Sequence, residues 1–389
     1  MATNTSTLPA WLARWGSDAR TSILTLAVLA GLPLLSPALP DGGPAGVLRF
    51  AVEEGRGRNP LWWIDLRQAN TGYYESLMSD SSDPLVKSNA LLSRAWALPD
   101  SPHFFRPHPY RIYTGEPNIR AAVTGEGPVS TNSQGLFDVE HTLAHPAGVR
   151  RVAVFGDSLT RGWGVDLPSV YPRLIEQELN RGRASGGGER FEFINFSQSA
   201  YLATQLLDVA LASAPAYSPD VYMLVLSELA VSPKWSNHIA KLVSERRDLK
   251  YPFLKQIVSE SGVTPKDSLD EANRKLAPYR LRVLRTIVEQ IKAQADRNHA
   301  EFMIVLISAA EESRLVRLRF GDTLTMLDKT GVPVVDLLDT FDKVKDIESV
   351  RSHWYDAHPN AQGHKMLADN FVQKVRSWPR AWHTLAGQP

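Results

Sequence analysis

From residue 151 onwards, short apolar runs alternate with segments of helical periodicity, and this alternation limits the chain to one fold class. Five runs have the length and the Val, Ile and Phe content of strands that are buried on both faces. They cover residues 151–155, 191–196, 221–226, 301–308 and 332–336. Segments 171–181, 205–214 and 279–297 between them are predicted to be helices. We therefore predict an α/β fold, flavodoxin-like, with three α/β/α layers and a parallel five-stranded sheet.

Two further features shape this predicted domain. The last helix is expected to begin near Pro359 and to run to about Trp378, because Pro379 cannot continue it. Residues 233–265 form a long, charged insertion after the third strand. We expect this insertion to form helices that cover the open edge of the sheet or contact a partner.

Composition excludes several classes of function. The 389 residues contain 43 Lys and Arg against 42 Asp and Glu, a net charge of +1. This balance gives no electrostatic reason to expect a nucleic-acid partner. The chain has no cysteine, which excludes disulfides, thiol catalysis and cysteine-ligated metals but does not fix the cellular compartment.

The segment 21–40 is apolar and carries no charge, and it is long enough to cross a bilayer. Arg14 and Arg20 precede it and only Asp18 opposes them, so the positive-inside tendency places the N-terminus in the cytoplasm. A cleaved signal peptide is an alternative, with residues 36–38 as the small-residue cleavage site. A buried core helix is a third interpretation.

The retained anchor leads to a prediction for the whole chain. Residues 1–20 would be a cytoplasmic segment, 21–40 a transmembrane anchor, 41–149 an irregular extracytoplasmic extension and 150–380 the α/β domain. The main domain would then be periplasmic or otherwise extracytoplasmic. The extension is rich in Pro, Gly and aromatic residues, and we expect it to pack on the main domain.

A serine stands at the exit of the first predicted strand. Gly156 and Asp157 separate the strand from Ser158, so the hydroxyl is expected at the carboxyl edge of the sheet, where open α/β sheets bind their ligands. About two hundred residues later come Asp356 and His358. Serine is a weak nucleophile until a base takes its proton. His358 is the best-placed base, and Asp356 is the residue to orient its imidazole.

The motifs 156–159 and 356–360, followed by Gly363 and His364, resemble those of the SGNH (GDSL-type) hydrolases, a family of esterases, lipases and carbohydrate acetyl-esterases. The resemblance covers about residues 125–378 and includes an Asn-Ser-x-Gly lead-in within 130–136. It implies catalytic roles for Ser158, His358 and Asp356. In many relatives the aspartate lies three residues before the histidine, where this chain has Tyr355, although the two-residue spacing also occurs.

The same C-terminal region allows another interpretation by ligand type alone. A metal site could be assembled from His353, Asp356, His358 and His364. Their predicted placement in a loop and the family resemblance argue against it, so we expect no metal and no cofactor. His364 is expected to cap or pack the last helix.

The middle motifs depart from the family pattern. The resemblance implies three oxyanion donors: the amide of the serine, a glycine amide after the second strand and an asparagine side chain after the third. Ser197 stands at the glycine position, where a glycine-only φ would be costly, and Ala200 replaces a second glycine. Leu229 occupies the place of the asparagine, beside Glu228, which would repel an oxyanion if ionised. Asn237 is a possible substitute donor from the insertion.

Two functions follow from these departures. In the first, the chain is a catalytically impaired, membrane-anchored SGNH hydrolase-like protein that serves as a structural or binding subunit of a membrane protein complex. In the alternative, it is an active serine esterase that acts on a carbohydrate O-acetyl ester or a lipid ester. The expected partners are therefore the membrane, other membrane-protein subunits and, for the enzyme, an ester substrate.

Overall fold

The computed structural model describes residues 105–120, 122–124, 127–181, 183, 189–353 and 356–387. The predicted anchor at 21–40 and most of the predicted extension lie outside these residues. Among the helices of the described ranges, none combines the length and the apolar character that a bilayer crossing requires. The described part of the extension contains two short hairpins and the lead-in to the main sheet.

The strands of this part of the chain are β1 (Phe105–His108), β2 (Ile112–Gly115), β3 (Ala122–Thr124), β4 (Gly127–Val129), β5 (Val149–Phe155), β6 (Arg190–Asn195), β7 (Val221–Leu226), β8 (Glu301–Leu306), β9 (Val334–Asp336), β10 (Arg351–His353) and β11 (Asp356–Pro359). The helices are α1 (Ser158–Arg161), α2 (Tyr171–Asn180), α3 (Ala203–Asp208), α4 (Asn237–Ser244), α5 (Pro252–Ser261), α6 (Leu269–Leu276), α7 (Arg280–Arg297), α8 (Ser313–Phe320), α9 (Asp322–Asp328), α10 (Ala361–Ser377) and α11 (Pro379–Ala386). A π-helical turn, Val209–Ser213, and a 3-10 turn, Ala214–Tyr217, extend α3.

The central sheet has five parallel strands in the order β6-β5-β7-β8-β9. The predicted parallel five-stranded sheet is therefore confirmed. Strand bounds differ from the predicted ones by a few residues, since β8 already ends at Leu306 and β9 begins only at Val334. The strand order reverses at β5, whose successors β6 and β7 lie on opposite sides of it. A crevice forms outside the carboxyl ends of the strands at such a reversal.

Apolar side chains cover both faces of the sheet and produce the predicted three layers. Alternate residues of β5 point to opposite faces of the sheet. Ala153 and Phe155 belong to the apolar cluster on one face, the first-face cluster, and Val152 and Val154 belong to the cluster on the other, the second-face cluster. The first-face cluster includes buried residues of α3 and α7. The second-face cluster includes those of α2, α10 and α11.

The insertion 233–265 forms helices, as predicted, but they belong to the core of the first face. Ile239 and Leu242 of α4 and Leu254 and Ile257 of α5 are fully or almost fully buried in the first-face cluster. His238 of α4 contacts the backbone oxygen of Tyr110 at 2.7 Å, which fastens the β1–β2 hairpin to the same face.

Pro379 has two roles at the C-terminus. It follows the end of α10, as predicted, and it also occupies the first turn of α11, where its missing amide hydrogen costs no hydrogen bond. The chain therefore turns and continues as a second helix, α11, whose buried residues join the second-face cluster.

Buried charges fix the lead-in to the sheet. Arg151, on β5, is fully buried; it donates to Glu192 at 2.6 Å and to the backbone oxygens of Thr142 and Tyr217. His141 lies between Asp138 and Glu192, at 3.1 and 2.8 Å. Burial opposes its charged form, but these two carboxylates raise the pKa of His141 to about 9. The segment before β5 is thus held by ion pairs shielded from water.

Candidate active site

The turn after β5 places Ser158 at the carboxyl edge of the sheet. Gly156 follows the strand, and a Cβ there would lie 2.3 Å from Oγ1 of Thr160, so only glycine fits. Asp157 caps α1 by accepting a hydrogen bond from the amide of Leu159 at 3.0 Å. Its second carboxylate oxygen accepts a short hydrogen bond from the hydroxyl of Ser227. Burial raises the pKa of Asp157, although the Ser227 hydrogen bond opposes this.

Ser158, His358 and Asp356 form one continuous hydrogen-bonded chain. The Ser158 hydroxyl lies 2.7 Å from Nε2 of His358, and Nδ1 of His358 lies 2.5 Å from Oδ1 of Asp356. With Nδ1 protonated and donating to the carboxylate, Nε2 is left to accept the serine proton. The structure thus brings together the three residues that were predicted from the sequence. Their arrangement is the geometry of a nucleophile with an oriented base.

The spacing of two residues between Asp356 and His358 has a local explanation. Oδ1 of Asp356 also accepts a hydrogen bond from the backbone amide of His358, at 3.0 Å. The carboxylate therefore holds both the backbone and the ring of the histidine. β11 carries both residues, and the backbone oxygen of Ala357 accepts from the amide of Ala310 at 2.8 Å. The indole ring of Trp163 lies 6.2 Å from the imidazole ring of His358.

His364 packs as predicted and lies apart from the proton path. It is fully buried on α10, its ring stacks on Tyr171 at 5.9 Å, and its Nδ1 accepts from the Tyr171 amide at 3.2 Å. Burial lowers its pKa to about 3, so the ring is neutral. Within the described residues, no group of three or more His, Asp or Glu side chains has the arrangement of a metal site.

The segment after β6 contains Ser197, whose amide is one of the predicted oxyanion donors. The amide of Ser197 donates to Oδ1 of Asn195 at 3.1 Å, and Nδ2 of Asn195 in turn donates to the backbone oxygen of Thr160 at 2.9 Å. Ser197 does not adopt a positive φ, so the backbone strain predicted for a serine at this position does not arise. The strain falls on Ala200, which has a φ of 59° where relatives have glycine.

The segment 227–230 after β7 contains no asparagine that could donate to an oxyanion. Leu229 packs its side chain against the first-face cluster, and its amide donates to the Ser227 hydroxyl at 3.1 Å. Glu228 is largely buried, with Arg319 of α8 3.5 Å from its Oε1. Burial raises the pKa of Glu228 to about 7, against the opposing effect of Arg319. Below that pH the carboxyl group is mostly neutral, and the predicted repulsion of an oxyanion applies only above it.

Asn237, the other predicted donor, stands at the start of α4. Its Oδ1 accepts a hydrogen bond from Nδ2 of Asn273 on α6 at 2.7 Å, and the neighbouring Ser236 hydroxyl donates to Oδ1 of Asn273 at 2.6 Å. The Oδ1 atom of Asn237 therefore joins α4 to α6. The oxyanion roles of Asn237 and of the Ser197 amide stay predictions.

Sequence reasoning missed Ser227. Its hydroxyl links the end of β7 to Asp157 at the end of β5 and also accepts from Leu229. The signal was available, because β7 was predicted to end at Leu226 and the carboxyl ends of parallel strands meet at one edge. The polar residues that directly follow neighbouring parallel strands are therefore candidates to hydrogen-bond with one another.

The sheet order, the serine at the exit of β5 and the Asp-His pair before α10 agree with the SGNH hydrolase-like fold that the motifs predict. The chain has no match among protein-family models and no significant match among curated proteins.

Several solved structures are similar to it at low identity. One is a psychrotrophic esterase from a Pseudoalteromonas species, with 13% identity, 59% of this chain and 99% of that chain covered, and a TM-score of 0.36. Another is a catalytic mutant of an acetylxylan esterase from Geobacillus stearothermophilus, with 14% identity, 60% and 96% covered, and a TM-score of 0.37. A third is a putative lipolytic protein of the G-D-S-L family from Desulfitobacterium hafniense, with 13% identity, 57% and 98% covered, and a TM-score of 0.35.

Proposed function

We propose that this chain is a serine hydrolase of carboxylic esters, with Ser158 as nucleophile, His358 as base and Asp356 as the residue that orients the base. The observation that carries the proposal is the 2.7 Å contact between the Ser158 hydroxyl and Nε2 of His358, extended by the 2.5 Å contact to Asp356. The distance from the Ser158 hydroxyl to Nε2 lies in the range in which a positioned base takes a proton, and the contact to Asp356 holds the imidazole in place for that transfer.

The proposed reaction has two halves. Ser158 attacks the ester carbonyl while His358 takes the hydroxyl proton; the tetrahedral intermediate then expels the alcohol, which receives that proton from His358. Water next attacks the acyl-serine with the help of the same imidazole, releasing the carboxylic acid and restoring the serine. Asp356 stabilises the imidazolium that forms in each half without itself taking the proton.

Hydrolysis of p-nitrophenyl acetate by the purified full-length protein tests this proposal. We expect the wild-type protein to release p-nitrophenol and Ser158→Ala to lose at least about a thousandfold of that rate. Ser308→Ala is the matched control, because Ser308 is also buried, stands just beyond β8 at the same edge, and its hydroxyl has no hydrogen-bond partner among the described residues. An equal rate in Ser158→Ala and wild type would remove Ser158 from the mechanism.

A second candidate function has specific support in the middle motifs. The Ser197 amide already donates to Asn195, and Leu229 supplies no side-chain donor, so stabilisation of an oxyanion would be weak. A catalytically impaired subunit of a membrane protein complex, held by the apolar segment 21–40, would fit these features. The main domain would then lie outside the cytoplasm.

Gentle detergent solubilisation of the native protein separates the two candidates. A subunit is expected to co-purify with partner chains at fixed stoichiometry and to leave p-nitrophenyl acetate intact. Labelling by diisopropyl fluorophosphate adds a second readout, because an activated Ser158 should be modified and Ser158→Ala should not. An active protein that purifies as a monomer would exclude the subunit function.

A further inference from the structure

Ser227 connects the exits of two neighbouring strands at the carboxyl edge of the sheet. It directly follows β7, which pairs with β5 so that Leu224 lies opposite Phe155. Its hydroxyl donates to Oδ2 of Asp157 and accepts from the amide of Leu229 at 3.1 Å. Ser227 is only 4% exposed. Because its proton is already donated inside the protein, this hydroxyl is not placed to bind a substrate or an oxyanion directly.

Asp157, the partner of Ser227, directly precedes the proposed nucleophile. Its Oδ1 accepts from the amide of Leu159 at 3.0 Å and caps α1, whose first residue is Ser158. Asp157 is 6% exposed, so its carboxylate depends on the protein for hydrogen bonds. The two carboxylate oxygens therefore join the exit of β7 to the helix that carries Ser158.

The helix α1 is a single turn. It covers four residues and ends at Gly162, which has a φ of 89°. A helix this short is not stable by itself, so contacts with the rest of the protein set its position. On the β6 side, Nδ2 of Asn195 donates to the backbone oxygen of Thr160 at 2.9 Å. On the β7 side, the Ser227 hydroxyl provides the corresponding contact through Asp157.

The position of α1 matters because the contact between nucleophile and base is sensitive to small displacements. The Ser158 hydroxyl lies 2.7 Å from Nε2 of His358. A displacement of about 1 Å between reacting groups can cost about a hundredfold in rate. Asp356 orients the imidazole from β11. The serine needs support of its own, and Asp157 is the residue through which β7 supplies it.

The charge of Asp157 supports the same role. Burial raises the pKa of Asp157, whereas the hydrogen bond from Ser227 and the charge of His358 lower it. The Ser227 hydroxyl therefore favours the ionised carboxylate, which attracts the imidazolium formed in the proposed reaction. Without that hydroxyl, burial would favour a protonated Asp157, and both the cap on α1 and this attraction would weaken.

We propose that Ser227 is a positioning residue for the reaction of Ser158. Through Asp157 it holds α1 so that the Ser158 hydroxyl faces Nε2 of His358. In this role Ser227 touches neither the ester nor the reacting atoms. The role rests on the proposed esterase function, because it concerns the rate of a step in which Ser158 is the nucleophile.

Steady-state hydrolysis of p-nitrophenyl acetate by full-length Ser227→Ala protein tests this role. We expect kcat to fall about tenfold to a hundredfold, because α1 loses its support on the β7 side. We expect KM to change by less than about twofold, since the buried Ser227 hydroxyl does not meet the substrate.

Ser308→Ala is the matched control for this substitution. Ser308 is also buried, follows β8 at the same edge, and its hydroxyl has no hydrogen-bond partner among the described residues. Its kcat should therefore stay within about twofold of wild type.

The rate of labelling by diisopropyl fluorophosphate gives a second readout that does not depend on turnover. It reports the reactivity of Ser158 directly, and Ser227→Ala should lower it about tenfold or more. Circular dichroism and urea unfolding verify that the compared proteins are folded. A folded Ser227→Ala protein with the kcat and labelling rate of wild type overturns the proposal, as does one in which only KM changes.

A double-mutant cycle shows whether Ser227 acts through Asp157. Asp157→Ser keeps a side-chain oxygen that can cap α1 but lacks the second oxygen that accepts from Ser227. In this background Ser227→Ala should change kcat by less than about twofold, because the contact is already absent. An equal loss of kcat in both backgrounds overturns the proposal, since Ser227 would then act by another route. If the double variant does not fold, the measurements on Ser227→Ala decide.

This proposal and the esterase proposal fail in different ways. If Ser158→Ala abolishes hydrolysis but Ser227→Ala matches wild type, the esterase proposal stands and Ser227 is not a positioning residue. If the wild-type protein neither hydrolyses p-nitrophenyl acetate nor reacts with diisopropyl fluorophosphate, the esterase proposal fails and the role of Ser227 fails with it.

Discussion

The carboxyl edge of the sheet has two halves that differ in how fully their polar groups are paired. In the nucleophile half, Ser158, His358 and Asp356 form an unbroken chain of hydrogen bonds. In the oxyanion half, after β6 and β7, the Ser197 hydroxyl is buried without a described partner and Leu229 supplies no side-chain donor.

In the proposed esterase, different groups would orient the base and stabilise the oxyanion. Orienting a base needs only a few side chains in fixed positions, and Asp356 does this for His358 through two contacts. Stabilising an oxyanion needs donors that point at a place occupied only in the transition state. The contacts of His358 fit the first task, and Leu229 departs from the SGNH pattern in the second.

The largest effect is expected in the nucleophile half. Asp356→Asn should lower the rate of p-nitrophenyl acetate hydrolysis by about ten-thousandfold, because the imidazole would be held in the wrong tautomer. Steady-state kinetics with matched circular dichroism spectra measure this. If a folded Asp356→Asn protein lost less than about tenfold of the hydrolysis rate, the contact between Asp356 and His358 would not contribute to catalysis.

The oxyanion half should respond in the opposite direction. Leu229→Asn restores a side-chain donor at the place where relatives carry asparagine, and we expect the rate to rise by up to about a hundredfold. Leu229→Met is the control, since it conserves size without adding a donor. An unchanged rate in a correctly folded Leu229→Asn protein would mean that this position does not face the oxyanion.

Glu228 leads to a prediction for the pH dependence of the proposed reaction. Its pKa is raised to about 7, so the carboxyl group is mostly neutral below pH 7 and becomes a carboxylate above it. We expect the wild-type rate to decline about tenfold above pH 7, because a nearby negative charge of this kind opposes an oxyanion by about 1.4 kcal/mol. Glu228→Gln should remove this decline.

The same group has a defined effect on stability. Its pKa is higher in the folded protein than its ordinary value of 4.5, so the folded state binds the extra proton and stability is lost as pH rises from 4.5 to about 7. Urea unfolding at pH 5 and pH 8 should therefore show Glu228→Gln gaining on wild type at the higher pH. In the kinetic experiment, the same pH–rate profile for wild type and Glu228→Gln would show that the charge of Glu228 does not affect the oxyanion.

The smallest effect concerns the backbone after β6. Ala200→Gly should raise the free energy of unfolding by about 1 kcal/mol, because glycine adopts the observed φ of 59° without steric cost. Ala203→Gly, at the first residue of α3, should instead lower it by about 0.5 kcal/mol. Urea denaturation measures both, and a destabilised Ala200→Gly protein would contradict the strain assigned to this turn.

The fold was accessible from the sequence because it depends on local patterns, and the three residues of the nucleophile half were accessible because two short motifs resemble those of the SGNH hydrolases. Short apolar runs define β5 and β7, and the polar residues directly after them define the edge of the sheet. The core role of α4 and α5 was not accessible, because a charged insertion shows its apolar residues only once their packing partners are known. The predictions for residues 21–40, including the membrane anchor, lie outside the described residues and stay predictions.

The order of residues determined which groups sit at the ends of which strands, because strand exits follow directly from hydrophobic runs and flanking turns. Tertiary structure decided which of those groups meet. A separation of 200 residues between Ser158 and His358 became a 2.7 Å contact because the antiparallel β10–β11 pair, which carries His358, lies against the edge at which β5 ends. The backbone oxygen of Ala357 on β11 accepts from the amide of Ala310, beyond the end of β8, and this holds the pair there. The pairing of Ser227 with Asp157 depends on a partner from another strand, and the raised pKa of Glu228 depends on burial, neither of which a local pattern encodes.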